Sequence, residues 1–190
     1  MPQLNVVLLT GISGSGKSVA LRMLEDADYT CVDNLPVRFL HEFIVARVGN
    51  TGERIAVAID ARSADELGEL PGIIVSLREA GIQLRVVFLE ADDVTLLQRY
   101  AESRRRHPLS DRMRKKGQVL SLEECLAQER ELLDPLRTQG HVVDTSGLTP
   151  GQLRAWVRDL VQADRSQLLL TFESFAFKTG VPRDADLVFD

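Results

Sequence analysis

Cysteine is scarce. Only Cys31 and Cys125 occur among 190 residues, too few for a disulfide framework or, by themselves, a zinc site. Two thiols suit a reducing compartment. Aromatic residues are also few, at 5%, and none lies between Arg104 and Lys116, which leaves little to stack on exposed nucleic-acid bases. No apolar run approaches the roughly 18 residues of a membrane span. The uncharged start, Met1 to Leu9, runs straight into a motif and does not read as a signal peptide. A cytoplasmic location without a membrane partner is therefore expected. Net positive charge is missing too: 23 Lys+Arg stand against 28 Asp+Glu, a balance of −5, which argues against a generic nucleic-acid binder.

What remains is 44% hydrophobic, enough for a sizeable core. Asn5–Leu9, Tyr29–Val32, Ile55–Ile59, Leu84–Leu89 and His141–Val143 read as strands, mostly apolar runs that suit a parallel sheet buried on both faces. Helical spacing separates them, from Val19 to Glu25 and from Pro36 to Val48. Capping-box spacing recurs at Ser63/Glu66, Ser121/Glu124 and Thr149/Gln152, with Pro150 at a first helical position. Alternating strands and helices point to a three-layer α/β fold with right-handed crossovers.

Between the first strand and first helix lies Gly11-Ile12-Ser13-Gly14-Ser15-Gly16-Lys17-Ser18, which fits G-x-x-x-x-G-K-[ST] in the context that motif requires. Its glycines let consecutive N–H groups face phosphate oxygens, and the helix N-terminus adds partial positive charge. Lys17 is the candidate for the β/γ-phosphates and Ser18 for Mg²⁺. Asp60, at the carboxyl end of the third strand, is the candidate second metal-side acid; the competing role is to cap the next helix. Asp33 closes the second strand and is a candidate to position or deprotonate an acceptor hydroxyl or water; a turn residue before Pro36 is the alternative.

Charge is unevenly placed. Arg99 to Lys116 holds eight Lys/Arg against Glu102 and Asp111, a local +6 that leaves −11 elsewhere. Such a segment, with Arg105 as its candidate catalytic cation, suits closure over a triphosphate, an RNA-backbone contact or a solvated loop. His107 reads as an ordinary loop histidine rather than a catalytic one. Thr145 and Ser146 are placed either to touch base or ribose or to satisfy turn backbone.

GISGSGKS, YTCVDNLP, AIDARS, RRRHPLS, ERELLDPLR and HVVDTS together resemble the RapZ/YvcJ family of bacterial nucleotide-binding proteins, over Val6 to Asp190. The resemblance implies binding of ATP and GTP with weak hydrolysis. It assigns Gly11 to Ser18 to ATP and Asp60, Ala61, Arg62 and Ser63 to GTP. It also implies a five-stranded sheet in the kinase-like order 2-3-1-4-5. In full-length members an RNase-adapter role in small-RNA regulation belongs to a second domain. Residues 1–163 are then expected to form the P-loop domain and 164–190 a linker and incomplete start of the second, so that RNA and RNase partners require the missing part. A homo-oligomer is left open, and the alternative function is a small-molecule kinase.

Overall fold

The computed structural model describes residues 4–48, 53–115 and 117–162. The Ser166 to Asp190 tail, the boundary at Ala163 and Lys116 lie outside them.

Five strands, β1 (Asn5–Gly11), β2 (Thr30–Asp33), β3 (Arg54–Ala58), β4 (Gln83–Glu90) and β5 (His141–Asp144), form one sheet in the order β2-β3-β1-β4-β5. Every pairing is parallel. The 2-3-1-4-5 order expected from the family resemblance is therefore the one observed.

The side chains of β1 alternate between two cores. Val6 and Leu8 join Ile55, Val57, Leu84, Val86 and Phe88 on one face. Val7 and Leu9 join Ala56, Ala58, Val87, Leu89 and Val143 on the other. This is why the strands read as nearly continuous apolar runs: with helices on both sides, both parities are mostly buried and apolar. The first face is covered by α2 (Leu40–Val45), α3 (Leu70–Glu79), α4 (Asp93–Ser103) and α6 (Leu122–Arg137). The second is covered by α1 (Lys17–Asp26) and α7 (Pro150–Gln162). The short helix α5 (Pro108–Lys115) packs through Leu109 on Ala61 and Cys125.

Three sequence expectations shift. First, β1 runs two residues further than its apolar run, because Thr10 and Gly11 continue the ladder opposite Phe88 and Leu89. Second, the Pro36–Val48 pattern divides into a 3₁₀ turn, Val37–Phe39, and α2. Third, the capping box at Ser63 does not form. Asp60 caps instead: its carboxylate accepts the Arg62 N–H, and the chain proceeds through 3₁₀ turns at Ala61–Ser63 and Leu67–Glu69. The other two boxes form. Ser121 and Glu124 exchange bonds at the start of α6, and Thr149 and Gln152 do so at the start of α7.

Candidate functional site

The loop Gly11–Ser18 leaves the carboxyl end of β1 at the centre of the sheet and enters α1, the crevice where open α/β sheets bind ligands. All three of its glycines are required by conformation: Gly11, Gly14 and Gly16 have φ of +124°, +92° and +108°, a region costly for other residues. At Gly16 a Cβ would also stand 2.6 Å from Leu153 Cδ2. Lys17 is the first residue of α1, and its Nζ donates to Gly11 O (2.5 Å) and Ile12 O (3.1 Å). One of its three N–H donors is left for a ligand, alongside the N–H groups of the first helical turn. Burial lowers the Lys17 pKa from the ordinary lysine value, against the opposing pull of Glu129 and Asp60. An anion in the loop would relieve that penalty.

The rest of the loop is tied down from behind. Ile12 N–H donates to Leu89 O (2.9 Å). Arg99 donates to Gly14 O (3.1 Å), Thr145 Oγ1 (3.0 Å) and Thr145 O (2.7 Å). The buried Thr145 hydroxyl lies 2.8 Å from Ser15 O and 3.0 Å from Glu90 O. Thr145 thus satisfies backbone groups, the second of its two readings, and Arg99 belongs to the loop's support rather than to an open basic face.

Glu129, on α6, was not among the residues singled out from sequence. It is fully buried. Its carboxylate accepts Ser13 N–H (2.9 Å) and Ser13 Oγ–H (2.6 Å) and lies 3.1 Å from His107 Nε2. Burial alone would push this carboxyl up, but the His107 bond, Lys17 and Ser13 together hold it below the ordinary glutamate range. A signal was present: Glu129 sits among Cys125, Leu126, Leu133 and Leu136 on the buried stripe of α6, where a charged residue is rarely found unless it is paired. His107, read as a loop histidine, is 2% exposed.

The opposite side of the loop is open. Ser18 and Asp33 are exposed and Asp60 is half-buried. Asp60 and Asp33 both act electrostatically on Lys17, as does Arg62 with the opposite sign, so the fold brings all three to the loop. Arg62 Nη1 lies 3.7 Å from Asp60. Ala61 is core. Arg104 closes α4 with φ of +53°. Arg105 is exposed and forms no ion pair with any described residue. Arg106 and Arg114 make loose, exposed pairs with Asp111 (3.6 and 3.5 Å), and Arg112 pairs with Asp65. Exposed pairs of this kind hold a segment only weakly. Among the described residues no cluster of three or more His, Cys, Asp or Glu is poised for a metal, and no helix is long and apolar enough to cross a membrane.

The fold resembles that of solved kinases. A sugar kinase from Janibacter superposes with a TM-score of 0.56 at 18% identity, over 84% of this chain and 95% of that one. A shikimate kinase from Acinetobacter baumannii, in complex with shikimate, gives 0.53 at 18% identity, over 85% and 93%. Closer in sequence is a nucleotide-binding protein of Bordetella petrii, 69% identical over 187 residues, 98% of this chain and 64% of that protein. One of Polynucleobacter asymbioticus is 53% identical over 98% of this chain and 62% of its own length. The chain therefore spans somewhat under two thirds of these relatives. The RapZ-like N-terminal domain profile matches residues 4–165, and with the P-loop at the centre of a 2-3-1-4-5 sheet the chain belongs to the RapZ-like family of nucleotide-binding proteins.

Proposed function

We propose that this domain binds ATP and GTP with Mg²⁺ and hydrolyses them slowly, as the regulatory part of a longer protein. The observation that carries the reading is Lys17: a partly desolvated ammonium, fixed on Gly11 O and Ile12 O, with a donor to spare among free helix N-terminal N–H groups. In this reading residues 11–18 cradle the β- and γ-phosphates. Asp60, Arg62 and Ser63 lie along the neighbouring edge that the family resemblance assigns to GTP. Ser18 and Asp60 fit Mg²⁺, a hydroxyl and a carboxylate being the hard oxygen donors it takes while keeping its other ligands as water and phosphate. Bound there, the ion would neutralise phosphate charge. RNase-adapter and RNA partners belong, in this proposal, to the portion of the relatives beyond this chain.

A second reading, transfer of the γ-phosphate to a small-molecule hydroxyl, is favoured by the exposed Asp33 at the end of β2, within electrostatic reach of Lys17. Titration calorimetry with Mg·ATP and Mg·GTP tests the main reading. The wild-type chain should bind, and Lys17→Ala should weaken binding by about 100-fold, as for loss of a charged donor in a dry site. Equal heats from both proteins, or none from the wild type, overturn it.

A further inference from the structure

Glu129 and Lys17 act on the same peptide unit. Ile12 O accepts from Lys17 Nζ (3.1 Å) and Ser13 N–H donates to Glu129 Oε2 (2.9 Å). In a planar trans peptide the C=O and N–H point in opposite directions. The 12–13 unit is therefore gripped at both ends by side chains of opposite charge, and turning it costs both bonds. The Ser13 hydroxyl adds a third anchor at 2.6 Å, in the short range of a charge-assisted bond.

His107 fixes the carboxylate in turn. Its Nδ1 accepts Leu109 N–H (3.2 Å), so Nε2 carries the proton and donates to Glu129 Oε2 (3.1 Å). His107 directly follows Arg104, Arg105 and Arg106 and directly precedes α5. The exposed arginine segment thus reaches the loop through a buried chain, His107, Glu129 and Ser13, alongside the Arg99 contact that α4 makes on its other side.

We infer that Glu129 and His107 are a positioning pair that sets the phosphate loop for nucleotide and couples its occupancy to the Arg104–Arg106 segment. This rests on the nucleotide-binding reading above and adds the element that transmits it. The pair does not touch the ligand. It holds the 12–13 peptide so that the loop's remaining N–H groups face the phosphates, and it passes any shift of the loop to the segment carrying the arginines.

The test uses the full chain, Mg·ATP and limited trypsin digestion, which reports exposure of the bonds after Arg104, Arg105 and Arg106. In the wild type, saturating ATP should slow cleavage there by about fivefold. Glu129→Gln, which keeps the shape but sets an amide where a carboxylate must accept three donors, should weaken ATP binding by about tenfold. His107→Leu should still bind at saturation but lose the protection. His107→Gln, whose amide nitrogen can stand in for Nε2, should restore it, and a purely structural role predicts no such split between binding and protection. Wild-type affinity in Glu129→Gln, or equal protection in the wild type and His107→Leu, overturns the inference. Should Glu129→Gln fail to fold, Ser13→Ala decides: it removes the 2.6 Å bond and the hydroxyl's contact with Tyr100 but keeps the Ser13 N–H bond to Glu129, should cost about threefold in affinity, and overturns the inference if affinity is unchanged. A wild type that binds no ATP at all removes the nucleotide reading instead.

Discussion

Behind the phosphate loop, towards β4, α4, α6 and the turn after β5, Ser13, Gly14 and Ser15 each meet a side chain from a distant part of the sequence: Glu129, Arg99 and Thr145. In front, towards the ends of β2 and β3, Ser18 and Asp33 are exposed, and the Asp60 carboxylate meets only the nearby Arg62 among the described residues. The rear is a buried polar network and the front a set of solvated groups. Buried networks specify one geometry when every member is satisfied; exposed carboxylates cost little to hold and remain available to a ligand. The division separates the part of the site that must exist before nucleotide arrives from the part that nucleotide and metal would organise. Substitutions behind the loop should therefore act on stability and on the loop's setting for nucleotide, and those in front on chemistry.

The severest break is Gly11→Ala. A Cβ there would stand 2.0 Å from Leu89 O, on a backbone with φ of +124°. Gly11 ends β1 and Leu89 lies in β4, adjacent strands at the centre of the sheet, so neither can yield. Urea unfolding should show a loss of at least about 3 kcal/mol. Gly81→Ala is the control: φ is +79° but nothing lies within 4 Å of the new atom, so only backbone strain remains, about 1–2 kcal/mol.

Acid should act through Glu129. Its folded pKa lies below the ordinary value, so the carboxylate contributes stability that is fully present above the unfolded pKa of about 4.3 and is lost as pH falls through the lower folded value. Thermal unfolding of the wild type and Glu129→Gln should differ most near neutrality and converge in acid. A difference that stays constant or grows with acidity contradicts the ionised carboxylate. Thr145→Val should cost less, about 1–2 kcal/mol by urea unfolding, because it strands Ser15 O and one Arg99 donor but leaves the Arg99 bond to Thr145 O in place.

The same division decides what could be read from sequence. The front residues lie close to strand ends or within one contiguous motif, so Gly11 to Ser18, Asp33 and Asp60 can be placed from a strand pattern alone. The apolar runs carry the sheet for the same local reason. The rear residues come together only in the fold: Glu129 is 116 positions from Ser13 and Thr145 130 from Ser15, and no local pattern marks such pairs. Glu129 could have been found as a charge on an apolar stripe, though its partner could not. Ser63/Glu66 shows the converse error. The capping spacing is present, but the Asp60 carboxylate captures the Arg62 N–H first and starts a 3₁₀ turn, because a cap acts wherever the chain first turns.

Asp33→Asn gives the smallest stability effect and the sharpest chemical one. The carboxylate is exposed, in a front region without a buried network, so unfolding free energy should change by no more than about 0.5 kcal/mol. ATP affinity should stay within about twofold, since the grip on the loop comes from Lys17, Glu129 and Arg99. Turnover separates the two functional readings. If Asp33 orients or deprotonates a small-molecule hydroxyl, transfer to that acceptor should fall by about 10²- to 10⁴-fold while slow hydrolysis by water persists. If water is the sole acceptor and Asp33 positions it, hydrolysis itself should fall and no metabolite should raise turnover above it. A stability loss beyond about 1 kcal/mol would place Asp33 in the rear class and erase the division, because a solvated carboxylate with no buried partner has nothing comparable to lose.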